Sequence, residues 1–239
     1  MLADFSDRQV QVGSFGRDVH LPSASLDELI EFIADELPRW RDHPDRSKQT
    51  SETVLTSQLC SHLNTAARHS TGWDILQFRV EEPDELRKGR KVDLIASPCG
   101  PTIWIDGRRC TQFDTLLPIE CKRLPTPKSK DRDEREYVIN GLATTGGIQR
   151  FKEGLHGGTH SRAAMIGYVQ AETPQFWQGR LNGWIADLDV AKCPGWSLHD
   201  LIGSEFSFGA SGLVMYHSEH VRTGGLPKIS IRHLWIAMN

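Results

Sequence analysis

Residues 91–96 read KVDLIA and residues 116–124 read LLPIECKRL, and these two short runs decide how the chain is organised. Side chains on an extended strand alternate between its two faces. Along LLPIECKRL, Ile119 and Cys121 therefore take one face while Glu120 and Lys122 share the other. Asp93 interrupts an otherwise apolar strand in the same manner. Leu116, Leu117, Ile119 and Leu124 around the charged pair argue against a surface strand. Charged groups at the end of a central strand are costly unless they are paired or have work to do there.

Further short segments fall on either side of these runs. Residues 75–80, 91–96, 102–105 and 116–122 read as strands separated by the turn-like stretches EEPDELRKGR, SPCGP and DGRRC. Before them, Ser25 and Glu28 form an S-x-x-E capping box, and Leu26, Leu29, Ile30, Ile33 and Leu37 give residues 26–37 a helical apolar face. The polar connector RWRDHPDRSKQ leads to a second helix over 52–68, carried by Leu55, Leu59 and Leu63. After the strands, Pro125 and Pro127 open the charged loop KSKDRDERE. Helical character is expected over 136–155, broken at Gly146 and Gly147, and then a buried strand over 163–170. Thr173 and Pro174 are suited to the N-cap and first turn of a helix whose core face is Trp177, Leu181, Trp184, Ile185 and Leu188. Two strands, 206–217 and 228–237, close the chain through RTGGLP. Helices and strands mixed in this order imply an α/β class, with a sheet covered by helices. No internal repeat or low-complexity segment interrupts the pattern.

Composition narrows the function classes. A chain of 239 residues suits one substantial domain. Its 38% hydrophobic residues, with seven Trp and nine Phe, can fill a real core, and 25% charged residues is ordinary for a globular protein. No apolar run approaches the roughly 18–20 residues that span a bilayer, and MLADFSDRQVQVG lacks the apolar region of a signal peptide. No membrane association and a cytoplasmic location are therefore expected. Five dispersed cysteines without a close pair suit reduced thiols better than a disulfide framework or a zinc site. A net charge of −3 argues against a protein that coats nucleic acid nonspecifically, but leaves room for one that grips it in a locally basic groove.

The chemistry sits between Lys91 and Lys122. Two carboxylates brought together can hold Mg²⁺, a hard cation that takes oxygen ligands and keeps several waters. A neighbouring ammonium can orient a water and stabilise negative charge developing on a phosphate. Glu120-Cys121-Lys122 is the only D/E-x-K triplet in a chain with nine lysines, and a strand Asp precedes it by 27 residues. The bland alternative, a surface ion pair, would contribute little.

This arrangement resembles the PD-(D/E)xK nuclease superfamily, also called restriction-endonuclease-like, over about residues 50–170. Asp93 matches the motif Asp, Glu120 the second acid and Lys122 the lysine; Val92 stands where the motif has Pro. The resemblance implies a single nuclease domain, 1–239. Within it, 1–70 would be an N-terminal helical part, about 50–170 a catalytic core with a mixed central sheet flanked by helices, and 171–239 a C-terminal helix and β-hairpin addition. It further implies a metal-dependent endonuclease of restriction or phage-defence type, using Mg²⁺ with Mn²⁺ as a substitute. The metal ligands would be Asp93, Glu120 and the backbone carbonyl of Cys121, joined by Glu52. The expected partner is nucleic acid, DNA rather than RNA, with a homodimer or a defence-system protein as further associations.

Glu52 falls on the apolar stripe of its helix, where superfamily members often carry a further acid; complementing the helix dipole is the alternative. Gln149, in GGIQRFKEG, resembles the helical Gln that some members place beside the site; a solvated polar residue is the alternative. Arg87, Lys88, Arg90 and Lys91 lie just before Asp93, and Arg123 just after Lys122, where they could meet phosphates. Lys128, Lys130, Arg132 and Arg135 alternate with acids and read equally as a solvated loop. His156 and His160 flank Gly157-Gly158, but the histidines suggest no site of their own. The absence of GxxxxGK[ST], GxSxG and HExxH excludes the commonest nucleotide-triphosphatase, serine-hydrolase and zinc-protease signatures. A noncatalytic nucleic-acid-binding or assembly subunit with the same fold, and an unrelated α/β protein with an accidental triplet, remain the competing classes.

Overall fold

The computed structural model describes residues 18–84, 89–130, 132–141, 146–203, 206–207 and 211–238. Strand β1 (Val19–His20) precedes helices α1 (Ala24–Arg41) and α2 (Glu52–Arg68). Strands β2 (Leu76–Pro83), β3 (Lys91–Pro98), β4 (Ile103–Ile105), β5 (Arg108–Cys110) and β6 (Leu117–Leu124) follow. Helix α3 (Gly147–Lys152), β7 (Arg162–Val169), α4 (Pro174–Val190), β8 (Phe206–Ser207), β9 (Leu213–His220) and β10 (Ile229–Ala237) complete the order.

Among the described residues the strands form a seven-stranded sheet in the order β2-β3-β6-β7-β10-β9-β8, and a small sheet of β1, β4 and β5. The central trio β6, β7 and β10 is parallel, while the flanking pairs are antiparallel. Parallel strands buried on both faces read as continuous apolar runs, as AAMIGYV of β7 does. Its Ala164, Ile166 and Tyr168 pack into one core with Leu29, Ile33 and Leu37 of α1 and Leu55, Leu59 and Leu63 of α2. Ala163, Met165 and Val169 face the opposite core with Ile148 and Phe151 of α3 and Trp177, Leu181 and Ile185 of α4. The result is a mixed α/β architecture with helices on both faces of the sheet. No helix among the described residues is long and apolar enough to cross a membrane.

Four sequence expectations need correction. Helix α1 begins before Ser25, with Ser23 at its N-cap and no side-chain cap bond; Ser25 is buried within the first turn. The helix expected over 136–155 is confined to Gly147–Lys152, because residues 134–138 form turns and Gly146 is extended. Residues 142–145 lie outside the described residues. Arg108–Cys110, expected as a turn, is a strand pairing with β4. The C-terminal hairpin is no addition: β10 pairs in parallel with β7 along its whole length and so completes the centre of the sheet. Thr173 does cap α4, its hydroxyl accepting the Phe176 N–H at 3.1 Å with Pro174 in the first turn.

Candidate active site

The site exists because β3 and β6 part company. Their pairing is limited to Leu94↔Ile119, Ile95↔Pro118 and Ala96↔Leu117. Beyond Ile119 the β6 backbone turns to side chains instead. Cys121 donates its N–H to Asp93 Oδ2 at 2.9 Å, and Arg123 donates its N–H to Glu52 Oε2 at 3.2 Å. Buried backbone groups must find partners, and here two carboxylates supply them. The same bonds pin an acid from β3 and an acid from the first turn of α2 on either side of Lys122.

Lys122 Nζ is the centre of the cluster. It lies 3.2 Å from Asp93 Oδ2, 3.3 Å from Glu120 Oε2 and 3.5 Å from Glu52 Oε1, and donates to the Cys121 carbonyl at 3.0 Å. Burial alone would lower its pKa, but the attraction of Asp93, Glu120 and Glu52 wins and holds the ammonium charged well above its usual range. Asp93 responds in the opposite sense. Burial and then the charge of Glu120 push its carboxyl up to about 6, against the opposing pull of Lys122. Glu120 and Glu52 have further cations beside them, Arg150 Nη1 at 2.9 Å from Glu120 Oε2 and Arg132 Nη2 at 3.9 Å from Glu52 Oε1, whereas the cation against Asp93 is Lys122.

Glu120 is wholly enclosed, at 0% exposure. Arg150 of α3 donates from Nη1 to its Oε2 at 2.9 Å, and His156 Nδ1 contacts its Oε1. Burial would raise its pKa, yet Lys122, the His156 contact and Arg150 together outweigh that and hold it well below the usual carboxylate range. Asp93 and Glu52, at 27% and 20% side-chain exposure, form the open side. There a cavity of about 160 Å³ is lined by both acids with Thr53, Thr56, Ser57, Val80 and Glu81.

Helix α3, which brings Arg150 to Glu120, is short and depends on its surroundings. Its first turn is bonded to the preceding loop, with Ile148 N–H donating to the Tyr137 carbonyl at 3.1 Å. At its other end Lys152 pairs with Asp200. Between Tyr137 and Asp200 runs a buried chain of polar groups. Trp235 Nε1 donates to Tyr137 Oη at 2.7 Å; Tyr137 Oη lies 2.9 Å from His233 Nδ1, and His233 Nε2 lies 2.8 Å from Ser218 Oγ. Ser218 Oγ lies 2.7 Å from His220 Nε2, and His220 Nδ1 lies 2.7 Å from Asp200 Oδ1. An indole N–H can only donate and a carboxylate can only accept. Both ends therefore impose one direction, with each hydroxyl and imidazole passing a single proton toward Asp200. Burial lowers the pKa of His220 and takes His233 well below its usual value, in keeping with two neutral rings. Although Asp200, His220 and Ser218 have the order of a nucleophilic triad, Ser218 is 2% exposed and also bonded to His233, so the chain reads as scaffold.

The structure thus brings together Asp93, Glu120, Lys122 and Glu52, with the Cys121 carbonyl beside them. It does not bring Gln149 to them: its amide donates to Glu153 at 2.8 Å and its oxygen accepts from the Asn140 N–H at 3.3 Å. The adjacent Arg150 reaches the site instead, and so does His156, against the expectation that no histidine belongs to one. Nothing in the sequence separates Arg150 from other helical arginines, or His156 from other loop histidines; only the fold of the 147–156 segment does. Among the basic candidates, Lys91 is exposed and pairs with Glu81 at 2.9 Å. The Arg123 guanidinium donates to the Thr50 carbonyl at 3.2 Å. Arg90 borders the β2–β3 connection, and Arg87 and Lys88 lie outside the described residues. In the following loop Arg135 is paired with Asp133, and Arg132 pairs with Glu136 while its Nη2 also lies 3.9 Å from Glu52 Oε1.

Among the described residues, no group of three or more His, Cys, Asp or Glu side chains is already arranged as a metal cage. The donor set nevertheless fits a hard cation. Mg²⁺ is commonly held by one or two carboxylates, waters and substrate phosphate rather than by an all-protein cage. Asp93 and Glu52 face the open side, Glu120 Oε2 and the Cys121 carbonyl lie inside it in contact with Lys122, and a divalent cation beside Asp93 would offset the burial and the Glu120 charge that raise its pKa. No protein-family model, curated protein or solved structure matches the chain.

Proposed function

We propose that the chain is a metal-dependent nuclease that hydrolyses phosphodiester bonds at the Asp93–Glu120–Lys122 cluster, with Mg²⁺ as cofactor and Mn²⁺ as its substitute. The observation that carries this reading is the convergence of three carboxylates, from α2, β3 and β6, on one buried ammonium, each within 3.5 Å of Lys122 Nζ. A purely structural ion pair needs one acid, and taking a network of several charges out of water is costly. The enclosed position of this cluster, with a cavity beside Asp93 and Glu52, suits a reaction in which developing charge must be met by preorganised groups.

Asp93, Glu120 and the Cys121 carbonyl would hold the cation, with Glu52 joining directly or through water. When bound, such a cation supplies Lewis-acid polarisation of the scissile phosphate. Lys122, kept charged by its three acids, is placed to orient the attacking water and to stabilise the phosphorane oxygens. Glu52 and Asp93 are the acids within reach of a proton leaving that water on the open side. Lys91, Arg90 and the 87–88 pair on the β2–β3 connection are the candidates for holding the phosphate backbone. The restriction-endonuclease-like resemblance favours DNA as substrate and a restriction or phage-defence role.

Incubation with plasmid, linear duplex and single-stranded DNA and with RNA, in Mg²⁺ or EDTA, tests this directly. Cleavage of at least one substrate in Mg²⁺ and of none in EDTA is expected. Retention of nucleic acid without cleavage in Mg²⁺ or Mn²⁺ would favour a second reading, a noncatalytic binding subunit. One observation speaks for that reading: Glu120 is fully enclosed with a partner at each oxygen.

A further inference from the structure

The loop from Gly154 to His160 is built with unusual care for a connection. Gly154 and Gly157 both take positive φ, +63° and +58°, where L side chains are strained. A Cβ on Gly154 would come within 2.3 Å of Leu226 Cδ1, and one on Gly157 within 2.9 Å of Pro118 Cγ. The connection between β9 and β10 then reaches over and clamps the loop. Arg222, 5% exposed, donates from Nη1 to the Gly157 carbonyl at 3.0 Å and from Nη2 to the His160 carbonyl at 2.8 Å, while its Nε donates to the Pro227 carbonyl at 2.6 Å. A buried guanidinium that spends its donors on backbone carbonyls fixes loop shape with a rigidity no single ammonium could give.

What the loop presents is His156. Its ring is 1% exposed, sits edge-on to Phe151 with centroids 6.4 Å apart, and meets Glu120 Oε1. Among the described residues, Glu120 Oε1 and His156 Nδ1 are buried atoms with no hydrogen bond of ordinary geometry, and their close ion-pair contact is with each other. The terminal torsion of a Glu is broad and roughly two-fold, so a carboxylate plane is fixed only when both oxygens are held. Arg150 and Lys122 hold Oε2. His156 is the group that holds Oε1.

We infer that His156 and Arg222 are positioning residues of the nuclease site, Arg222 fixing the 154–160 loop and His156 thereby setting the plane of the Glu120 carboxylate. This inference rests on the reading of Glu120 as a metal-binding carboxylate. It ties the connection of the C-terminal hairpin to the active site through the shape of the 154–160 loop.

The test compares wild type, His156→Ala and Arg222→Gln in Mn²⁺ titrations followed by electron paramagnetic resonance, and in steady-state cleavage. Partners that orient a metal ligand are worth about 10–100-fold in affinity or activity, so each variant should bind Mn²⁺ about tenfold more weakly and lose kcat by a similar or larger factor. KM for nucleic acid should stay within about threefold, because uniform substrate binding is untouched. Free imidazole should restore part of the lost kcat and Mn²⁺ affinity to His156→Ala, which a merely structural loss would not allow. Where Arg222→Gln fails to fold, His156→Ala decides alone. A folded His156→Ala protein with wild-type Mn²⁺ affinity and kcat, or one whose losses imidazole does not relieve, would overturn the inference. An inactive wild type would remove the nuclease reading and this inference with it, whereas an active wild type with unaffected variants would remove this inference only.

Discussion

The carboxylate of Asp93 accepts the backbone N–H of Cys121 at 2.9 Å, so the acid of β3 is bonded to the residue between Glu120 and Lys122. Where β3 and β6 stop pairing at Leu94↔Ile119, a side chain replaces the ladder bond. This substitution puts a carboxylate from one strand and an ammonium from the next 3.2 Å apart without a loop between them. Sites carried on regular strands hold geometry better than sites on loops. The precision comes at the expense of stability, because Asp93 is charged where burial and Glu120 oppose it.

Asp93→Asn should therefore stabilise the metal-free protein while abolishing cleavage. The folded-state pKa of Asp93, about 6, lies above the ordinary value, so the folded chain keeps a proton that the unfolded chain has already released. Stability from this group is fully present below about pH 4, the ordinary Asp pKa, and is lost as pH rises through about 6. Thermal melts in EDTA should show Asp93→Asn more stable than wild type at pH 8, with the gain shrinking toward pH 4. A lower melting temperature at pH 8 would show that Asp93 is instead a stabilising partner of Lys122.

The buried chain from Trp235 to Asp200 should set an acid limit to stability. His220 and His233 have folded-state pKa values below the ordinary one, so the unfolded chain takes up protons first as pH falls. Their contribution is fully present above the unfolded value near 6.5 and is lost as pH falls below it. Ser218→Ala would leave His233 without an acceptor and His220 without a donor, at a cost of about 1–3 kcal/mol for each orphaned buried group. Urea melts at pH 7.5 and 5.5 check both claims; a Ser218→Ala protein as stable as wild type would mean that the chain is not bonded in this way.

Phosphate binding by the β2–β3 connection has its own signature. Replacing Arg90 and Lys91 with Gln should weaken nucleic-acid binding and reduce the slope of log K against log salt by about 0.9 for each phosphate no longer neutralised. The bound complex should still be cleaved, since the Asp93, Glu120 and Lys122 side chains are left intact. An unchanged salt slope would place the groove elsewhere.

Much of the fold was legible because periodicity survives burial. The boundaries of α2, the start of β3 and the Thr173 cap of α4 follow from local residue pattern. The strand parity that paired Glu120 with Lys122 is local as well, and so is the position of Glu52 on the first turn of α2. The misses have a common physical cause. Residues 136–155 carry enough helix formers to suggest helix on both sides of a break at Gly146 and Gly147, yet tertiary bonds from Gly147, Ile148 and Gln149 to residues 136–138 replace helical bonding before the break. That fold turns Arg150, not Gln149, toward Glu120 and returns His156 to the same carboxylate. The C-terminal hairpin looked peripheral because β10 pairs with β7 across more than 60 residues of chain, a separation to which period-2 patterning is blind.

Lys122 carries the central claim, since its ammonium is within 3.5 Å of all three acids. Its removal should act on several quantities at once. Breaking a buried ion-pair network by deleting one partner costs about 3–5 kcal/mol, so Lys122→Ala should melt well below wild type in EDTA. Mg²⁺ should raise its melting temperature more than that of wild type by neutralising the acids left behind. Affinity for nucleic acid should stay within a few-fold, because Lys122 is one charge among many near the groove. Cleavage should fall by at least about 10²–10³, the usual worth of a positioned group that meets transition-state charge. The most direct measurement is the single-turnover cleavage rate of folded Lys122→Ala in saturating Mg²⁺, paired with a binding titration. Near-complete loss of rate with binding retained is the expected result; cleavage at the wild-type rate would show that the Glu120–Lys122 triplet is no catalytic site.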